Sequence, residues 1–271
     1  DPNAGCVSAP AVLPSFCTKT DKNPSGIARA KADNPSVPGQ RAAPFLFPTS
    51  PPFSIMPVTS PPRAWAEIDL GAIRHNLNVV KQAAKGEYYM PVVKAAAYGH
   101  GLEQVCRTLD SEGIAFFGVA NVGEARRISQ AGCRTRPYIL GPAFPEEREE
   151  IVLNGWRSFI STIEEAVHYN SLARLYGKTL PIHISVDTGM GRGGFLPDQL
   201  EELLSRLGEL DSLYMEGLGA HLPCADEDRE ITLRQIARFE QMAARIREKL
   251  PLKYCHLANS AASLDLSLIH I

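Results

Sequence analysis

The sequence predicts an α/β protein built as a (β/α)8 TIM-type barrel that is incomplete at its last strand. Between residues 63 and 266, short apolar runs alternate with amphipathic runs, and polar residues recur directly after the apolar runs. Strands that alternate with helices form parallel sheets, because each helix carries the crossover that leads to the next strand. The runs are apolar throughout, which is typical of strands covered on both faces. An open doubly wound sheet is the alternative arrangement.

The segment before the barrel, residues 1–62, holds 13 of the chain's 21 prolines, with Ser, Ala, Thr and Asn between them. Proline lacks the backbone N–H and has a fixed φ, so such a segment sustains neither a helix nor an internal strand. We therefore expect a disordered Pro/Ser-rich tail, followed by one barrel domain at residues 63–266. Met56 is the expected start of the translated protein, and a transit peptide is the alternative explanation for the tail.

Seven apolar runs are predicted to be the strands of the barrel. They lie at residues 90–95, 115–120, 137–140, 157–161, 181–187, 214–221 and 254–258. The short segment WAEIDL, residues 65–70, is the candidate for an eighth strand. Without it the barrel is unclosed, because this fold closes with eight strands.

The amphipathic runs are predicted to be helices. The first, at residues 71–84, precedes the strands and places Ile73, Leu77 and Val80 on one face. The others lie at residues 102–111, 121–131, 146–154, 162–175, 198–208 and 229–249. In the last of these, apolar residues recur at helical spacing and form a broad stripe.

Composition excludes several classes of protein. The chain has 271 residues and a formal net charge of −2, which gives no electrostatic argument for binding nucleic acid or an anionic membrane. No apolar run reaches the roughly 18–20 residues that span a bilayer. The six cysteines are scattered and form no CxxC pair, so we interpret them as reduced thiols of a cytoplasmic protein.

Four polar residues, Lys94, Asp187, His221 and Asn259, stand at the ends of predicted strands, where barrel enzymes build their active sites. Lys94 follows two valines in VVKAAAYGHG and has no acidic neighbour in sequence. A partly desolvated lysine has a lowered pKa and becomes nucleophilic toward carbonyl carbons. The alternative is a surface lysine at the point where the strand reaches water.

The segment DTGMGRGG, residues 187–194, has the composition of a ligand-binding loop. Its glycines let backbone approach a ligand closely, and Arg192 supplies a fork of donors for an oxyanion. Asn259 and Ser260 stand at the start of a predicted helix, where free N–H groups and a hydroxyl suit a phosphate. An ordinary glycine-rich turn and a plain helix cap are the respective alternatives.

His221 could stack on a ring, bind a metal together with Cys224, or lie hydrogen-bonded in the barrel mouth. No second ligand pair stands at metal spacing, so no metal site is predicted. Together, the lysine, the arginine and the helix start describe a ligand with an aldehyde, a ring oxyanion and a phosphate. Pyridoxal 5′-phosphate (PLP) has all three, and it is anchored by a lysine.

The motifs VVKAAAYGHG, DTGMGR, GLGAHLPCADE and HLANSAA resemble, in this order, those of alanine racemase, a family of fold-type III PLP enzymes. The segment RAWAEIDLGAIRHNL resembles the opening of that family, and the resemblance extends over residues 63–266. It implies that Lys94 is the catalytic lysine that forms the Schiff base with PLP. It implies that Tyr98, Ser260 and Asn259 contact the phosphate of PLP. It also implies that Arg192 contacts the phenolic oxygen of PLP and the substrate, and that His221 packs beside the pyridine ring.

The resemblance implies PLP-dependent racemisation of L-alanine to D-alanine for peptidoglycan synthesis. It also implies a homodimer whose second, β-rich domain supplies a tyrosine to the opposite face of the substrate. We expect that domain beyond Ile271, with SLIHI (267–271) an artefactual end, so that the 271 residues by themselves form a weak or inactive racemase. The alternatives are a single-domain protein of PLP homeostasis, a fold-type III decarboxylase, and a non-catalytic fragment.

Two residues depart from the pattern of the family. Ser185 stands where many members carry a lysine that orients the arginine corresponding to Arg192, so Arg192 is expected to need another support. Ala96 stands where Asn or Asp is common between the lysine and the tyrosine.

Overall fold

The candidate eighth strand at residues 65–70 is not a strand where the structure describes it, since residues 66–69 lead directly into a helix. The computed structural model describes residues 66–84 and 86–265, so the predicted tail and the last residues of the chain lie outside the described part. Residues 66–69 have no regular structure, and helix α1 begins at Leu70. Asp69 Oδ1 accepts the N–H groups of Gly71 and Ala72 and so caps this helix.

Six parallel strands form a curled half-barrel and pair in chain order. The strands are β1 (Phe117–Val119), β2 (Pro137–Ile139), β3 (Arg157–Ile160), β4 (Leu180–Ser185), β5 (Leu213–Gly219) and β6 (Tyr254–His256). Each coincides with a predicted strand to within a few residues at its ends. The barrel class predicted from the sequence is therefore confirmed.

The predicted strand at residues 90–95 is reduced to a single bridge. Val92 pairs in parallel with Gly118 of β1, and the Val93 N–H donates to the Gly118 carbonyl over 2.8 Å. The ladder stops there because Lys94 begins a tight turn. This segment still extends the sheet beyond β1, so Lys94 lies at the same edge as the ends of the other strands.

The predicted helices are confirmed, with shifts of a few residues at their ends. They are α1 (Leu70–Ala84), α3 (Leu102–Leu109), α4 (Val122–Gln130), α5 (Arg148–Asn154), α6 (Ile163–Leu175), α7 (Leu200–Leu207), α8 (Arg229–Arg247) and α9 (Ser260–Asp265). The short element α2 (Lys94–Tyr98) was not predicted and is left-handed. Side chains of Asn121, Thr162 and Asp228 cap α4, α6 and α8. None of the helices in residues 66–84 and 86–265 combines the length and the apolar character needed to cross a bilayer.

Five polar side chains on neighbouring strands, which we call the interior cluster, are buried or nearly so: Tyr138, Arg157, His183, Glu216 and His256. Two bonds of 2.8 and 2.9 Å join the Arg157 guanidinium to the Glu216 carboxylate. His183 lies 3.3 Å from Glu216 and 3.2 Å from His256, which is 3.1 Å from the Tyr138 hydroxyl. Every member therefore has a partner within the cluster.

The glycines of β5 leave room for the interior cluster. A Cβ on Gly217 would lie 2.4 Å from the His183 ring, and one on Gly219 would lie 2.3 Å from the His256 ring. Real Cβ atoms do not approach other atoms so closely, so any side chain at either position would displace an imidazole. The alternation Glu-Gly-Leu-Gly in this strand is thus explained by the two histidines on its neighbours.

Candidate active site

The turn that follows Lys94 is left-handed. Ala95, Ala96, Ala97 and Tyr98 have φ between 52° and 54°, a region that costs L-residues about 1–2 kcal/mol each. Backbone bonds close the turn, since the Ala97 N–H donates to Val93 over 2.8 Å and the Gly99 N–H donates to Ala95 over 3.0 Å. The chain leaves the turn at Gly99, whose φ of 87° suits glycine.

The loop that carries Arg192 is held by Asp187. This carboxylate accepts the N–H groups of Gly189, Met190 and Gly191 over 2.7–2.8 Å. Asp187 follows β4 by two residues, as predicted, but its carboxylate is directed to the loop backbone. Asp187 therefore supports the backbone of the loop up to Gly191, the residue directly before Arg192.

His221 follows β5 by two residues and shares its surroundings with two cations. Burial, followed by the positive charges of Arg192 and Lys94, lowers the pKa of His221 below its usual 6.5. The imidazole is therefore neutral at pH 7. Lys94 and Arg192, which are far from His221 in sequence, thus both lie within electrostatic range of its imidazole at the carboxyl edge of the half-barrel.

The two cations beside His221 have no partner in the described part of the chain. Neither the Lys94 amine nor the Arg192 guanidinium makes a hydrogen bond or an ion pair with residues 66–84 or 86–265. Lys94 is half-buried, and Arg192 is exposed. Positive groups arranged in this way suit an anionic ligand that also carries a carbonyl carbon.

Asn259 holds two parts of the site together. Its Nδ2 donates to the Leu222 carbonyl over 2.8 Å, next to His221, and its Oδ1 accepts the Ala262 N–H over 3.0 Å. It is thus the cap of α9, one of the alternatives that the sequence left open, and it also joins that helix to the loop after β5. Ser260, the first residue of α9, therefore has a defined place beside this loop.

Tyr98 is half-buried at the end of the left-handed turn. Burial, followed by the negative charge of Glu124, raises the pKa of its phenol above 10.0. The phenol is therefore a protonated hydrogen-bond donor at pH 7, which suits contact with a phosphate.

Sequence reasoning missed Glu124, although a signal for it was present. Its N–H donates to Asn121 Oδ1, the cap of α4, and its carboxylate accepts the Ala120 N–H directly before the cap. The sequence shows this pattern as Asn followed three residues later by Glu. It also missed Gln235, whose buried amide lies beneath Gly189 and has no hydrogen-bond partner among the described residues.

Comparison with known proteins places this site in a family. Residues 68–271 match the model of the family described as "Alanine racemase, N-terminal domain". The chain belongs to the alanine racemase family. The resemblance predicted from its motifs is confirmed, and alanine racemases are PLP-dependent enzymes.

Individual alanine racemases support this assignment. The alanine racemase of Carboxydothermus hydrogenoformans is 38% identical over 208 residues, which are 76% of this chain and 56% of that protein. The crystal structure of alanine racemase from Streptomyces lavendulae superposes with a TM-score of 0.73 and 30% identity, over 78% of this chain and 57% of that one. The chain thus spans little more than half the length of these relatives.

A relative with another substrate has the same fold. The histidine racemase of Leuconostoc mesenteroides matches with a TM-score of 0.65 and 25% identity, over 72% of this chain and 53% of that one. The barrel architecture is therefore shared between racemases named for different amino acids.

Proposed function

We propose that this chain is the barrel part of a PLP-dependent alanine racemase, which interconverts L-alanine and D-alanine and so provides D-alanine for peptidoglycan. The observation that carries the proposal is the grouping of Lys94, Arg192 and His221 at the carboxyl edge, with both cations lacking a partner among the described residues. The agreement of the chain with alanine racemases at 38% identity supports the choice of substrate.

The residues of the site fit PLP in chemical type. The Lys94 amine would bind the aldehyde carbon, and Arg192 would face the ring oxygen and the substrate carboxylate. Tyr98 and Ser260, with the Asn259 turn, would hold the phosphate at the start of α9. The neutral imidazole of His221 would pack beside the pyridine ring without adding charge. When bound, PLP supplies the electron sink that makes the Cα proton of an amino acid removable.

Lys94 then has a second task, the movement of a proton. Its free amine takes the proton from Cα of alanine, or returns it, on the face of the substrate that it reaches. Racemisation requires an acid–base group on the opposite face as well. By resemblance to the family we assign that role to a tyrosine of a second domain, provided across a homodimer, and we place the protein in the cytoplasm.

The first experiment is to titrate the purified 271-residue chain with PLP. We expect a visible absorbance band and, after reduction with borohydride, one pyridoxyl phosphate on the peptide that contains Lys94. The variant Lys94→Ala is expected to lose both signals, whereas Lys249→Ala, which alters an exposed lysine paired with Glu201, is expected to keep them. Labelling of other lysines in place of Lys94, or no uptake by the folded chain, would refute the proposal.

A second experiment separates proton transfer from racemisation. In deuterium oxide with PLP, we expect the chain to exchange the Cα proton of one alanine enantiomer faster than it produces the other enantiomer. Lys94→Ala is expected to abolish this exchange. Absence of exchange in a chain that carries PLP on Lys94 would remove Lys94 from its acid–base role. Fast racemisation by the 271-residue chain alone would show that no group from a second domain is needed.

A further inference from the structure

We propose that Glu124 is a positioning residue for Lys94, because its carboxylate ties the left-handed turn that carries this lysine to the end of β1. The inference rests on the proposed role of Lys94 as the PLP lysine. It assigns to Glu124 a function beyond that of a helix cap.

The two carboxylate oxygens of Glu124 bind two different segments. Oε1 accepts the N–H of Ala95 over 2.6 Å, and Oε2 accepts the N–H of Ala120 over 2.8 Å. The Ala95 N–H belongs to the peptide bond that Lys94 itself makes, so this contact restrains the backbone next to the lysine Cα. Ala120 directly follows β1, which is anchored in the sheet. The carboxylate therefore bridges a rigid element and the reactive residue.

The turn itself provides no acceptor for the Ala95 N–H. Four consecutive L-residues are left-handed, and the backbone bonds that close the turn begin at the Ala97 N–H. The Ala95 N–H lies before them and has its bond from Glu124. Hydrogen bonds to an ionised carboxylate are shorter and about twice as strong as those between neutral groups. Glu124 thus satisfies the donor that the turn cannot satisfy by itself.

Glu165 makes the same bonds at the start of its helix as Glu124, but it contacts no turn. Glu165 stands at the same position of α6, with its N–H donating to Thr162 and its Oε2 accepting the Ser161 N–H over 2.7 Å. Its other oxygen lies 3.6 Å from Arg148 and reaches no turn. Comparing Glu124 with Glu165 therefore separates the support of Lys94 from the stability that each glutamate gives to its own helix.

The test uses Glu124→Gln and Glu124→Ala beside Glu165→Gln and Glu165→Ala, all in the 271-residue chain. Without PLP, hydrogen exchange is measured for the peptide covering residues 94–101. With PLP, the dissociation constant and the fraction trapped on Lys94 by borohydride are measured. A thermal unfolding curve of each variant reports the loss of the helix cap.

We expect both alanine variants to lower the unfolding temperature, because each loses a hydrogen bond that holds the backbone directly before its helix. Only Glu124→Ala should increase exchange in residues 94–101, by about tenfold, and weaken PLP binding by about tenfold, as expected for the loss of one bond to a charged group. Glu124→Gln should lie between, because its amide oxygen can accept one N–H while its amide nitrogen cannot accept the other.

Equal effects of the Glu124 and Glu165 variants on exchange and on PLP affinity would overturn the inference and leave Glu124 as a cap. Failure of the unaltered chain to take up PLP on Lys94 would instead contradict the proposed function. The exchange measurement, made without PLP, would still decide whether Glu124 supports the turn.

Discussion

The interior cluster and the carboxyl-edge site formed by Lys94, Arg192 and His221 both belong to the half-barrel, yet they differ in whether their charged groups are paired. In the interior, Arg157 and Glu216 form a two-bond pair, and their side chains are only 16% and 6% exposed. At the edge, Lys94 and Arg192 have no such partner among the described residues. Buried charges are stable only when they are paired. The difference indicates that the interior groups hold the fold, whereas the edge groups are kept available for a ligand.

The largest effect is expected from breaking the interior pair. Arg157→Met leaves the Glu216 carboxylate buried without its main partner, which should lower the free energy of unfolding by about 3–5 kcal/mol. The matched control is Arg126→Met, which removes an exposed pair with Glu150 and should cost about 0–1 kcal/mol. Urea unfolding without PLP measures both variants. Similar losses for the two would abolish the distinction between the regions.

The second-largest effect is expected from acid, which should lower the stability that the buried histidines of the interior cluster contribute. Burial lowers the pKa of both His183 and His256 below 6.5, so the folded chain binds fewer protons than the unfolded chain once the pH falls below that value. Stability should then decrease with falling pH by up to about 1.4 kcal/mol per pH unit for each histidine. Burial raises the pKa of Glu216, but bonds from Arg157 and His183 outweigh it and give a pKa of about 2.

Because the pKa of Glu216 is depressed, its contribution is complete above 4.5 and is lost only as the pH falls toward 2. Urea unfolding of the PLP-free chain at pH values of about 5.5 and 7.5, on either side of the usual histidine pKa, therefore reports His183 and His256 together with His221, whose pKa burial also lowers. The variant His221→Gln separates these sources, since the part of the difference that it leaves belongs to His183 and His256. Equal stability at both pH values would mean that the interior imidazoles are not the acid-sensitive groups.

A moderate loss of stability is expected from changing Asp187, because its carboxylate holds the loop that precedes Arg192. Asp187→Asn loses charge-assisted acceptors for three N–H groups, which should cost about 1–3 kcal/mol and weaken PLP binding through Arg192. Asp226→Asn, at an exposed carboxylate, serves as the control. Calorimetric titration with PLP measures the change in affinity, and urea unfolding measures the change in stability. An Asp187→Asn variant that binds PLP normally would show that the loop needs no such support.

The smallest effect on stability is expected at the lysine itself. Lys94→Met removes a cation that has no partner among the described residues, so the free energy of unfolding should change by no more than about 0.5 kcal/mol. The same change should abolish covalent uptake of PLP. A loss of stability approaching that of Arg157→Met would show that Lys94 also holds the fold.

The sequence predicted the strands and helices well, because apolar runs and caps are local signals. It overextended the strand at residues 90–95, since nothing in Lys-Ala-Ala-Ala-Tyr indicates a left-handed turn, and alanine ordinarily favours a right-handed helix. The segment at residues 65–70 could have been removed as a candidate strand, because Asp69 before Leu-Gly-Ala is a helix cap signal.

For the candidate site, the sequence predicted the residues but not which of them face a ligand and which support the backbone. Lys94 and His221 were predicted from strand ends and Arg192 from a glycine-rich loop, and both cations act on the His221 imidazole. The use of Asp187 and Asn259 as supports depends on which backbone groups they face, and this requires coordinates. The interior cluster was missed because His183 and His256 meet only after β4, β5 and β6 are paired.

The left-handed turn also has a consequence for chirality. At Ala95, Ala96 and Ala97 the backbone has the hand that D-residues prefer and L-residues avoid. If the chain were assembled by chemical ligation, D-alanine at these three positions would relax the turn, whereas D-alanine in α8 would break a helix. Next to its reactive lysine, a chain of the alanine racemase family thus has a backbone shape better suited to the mirror image of its own alanines.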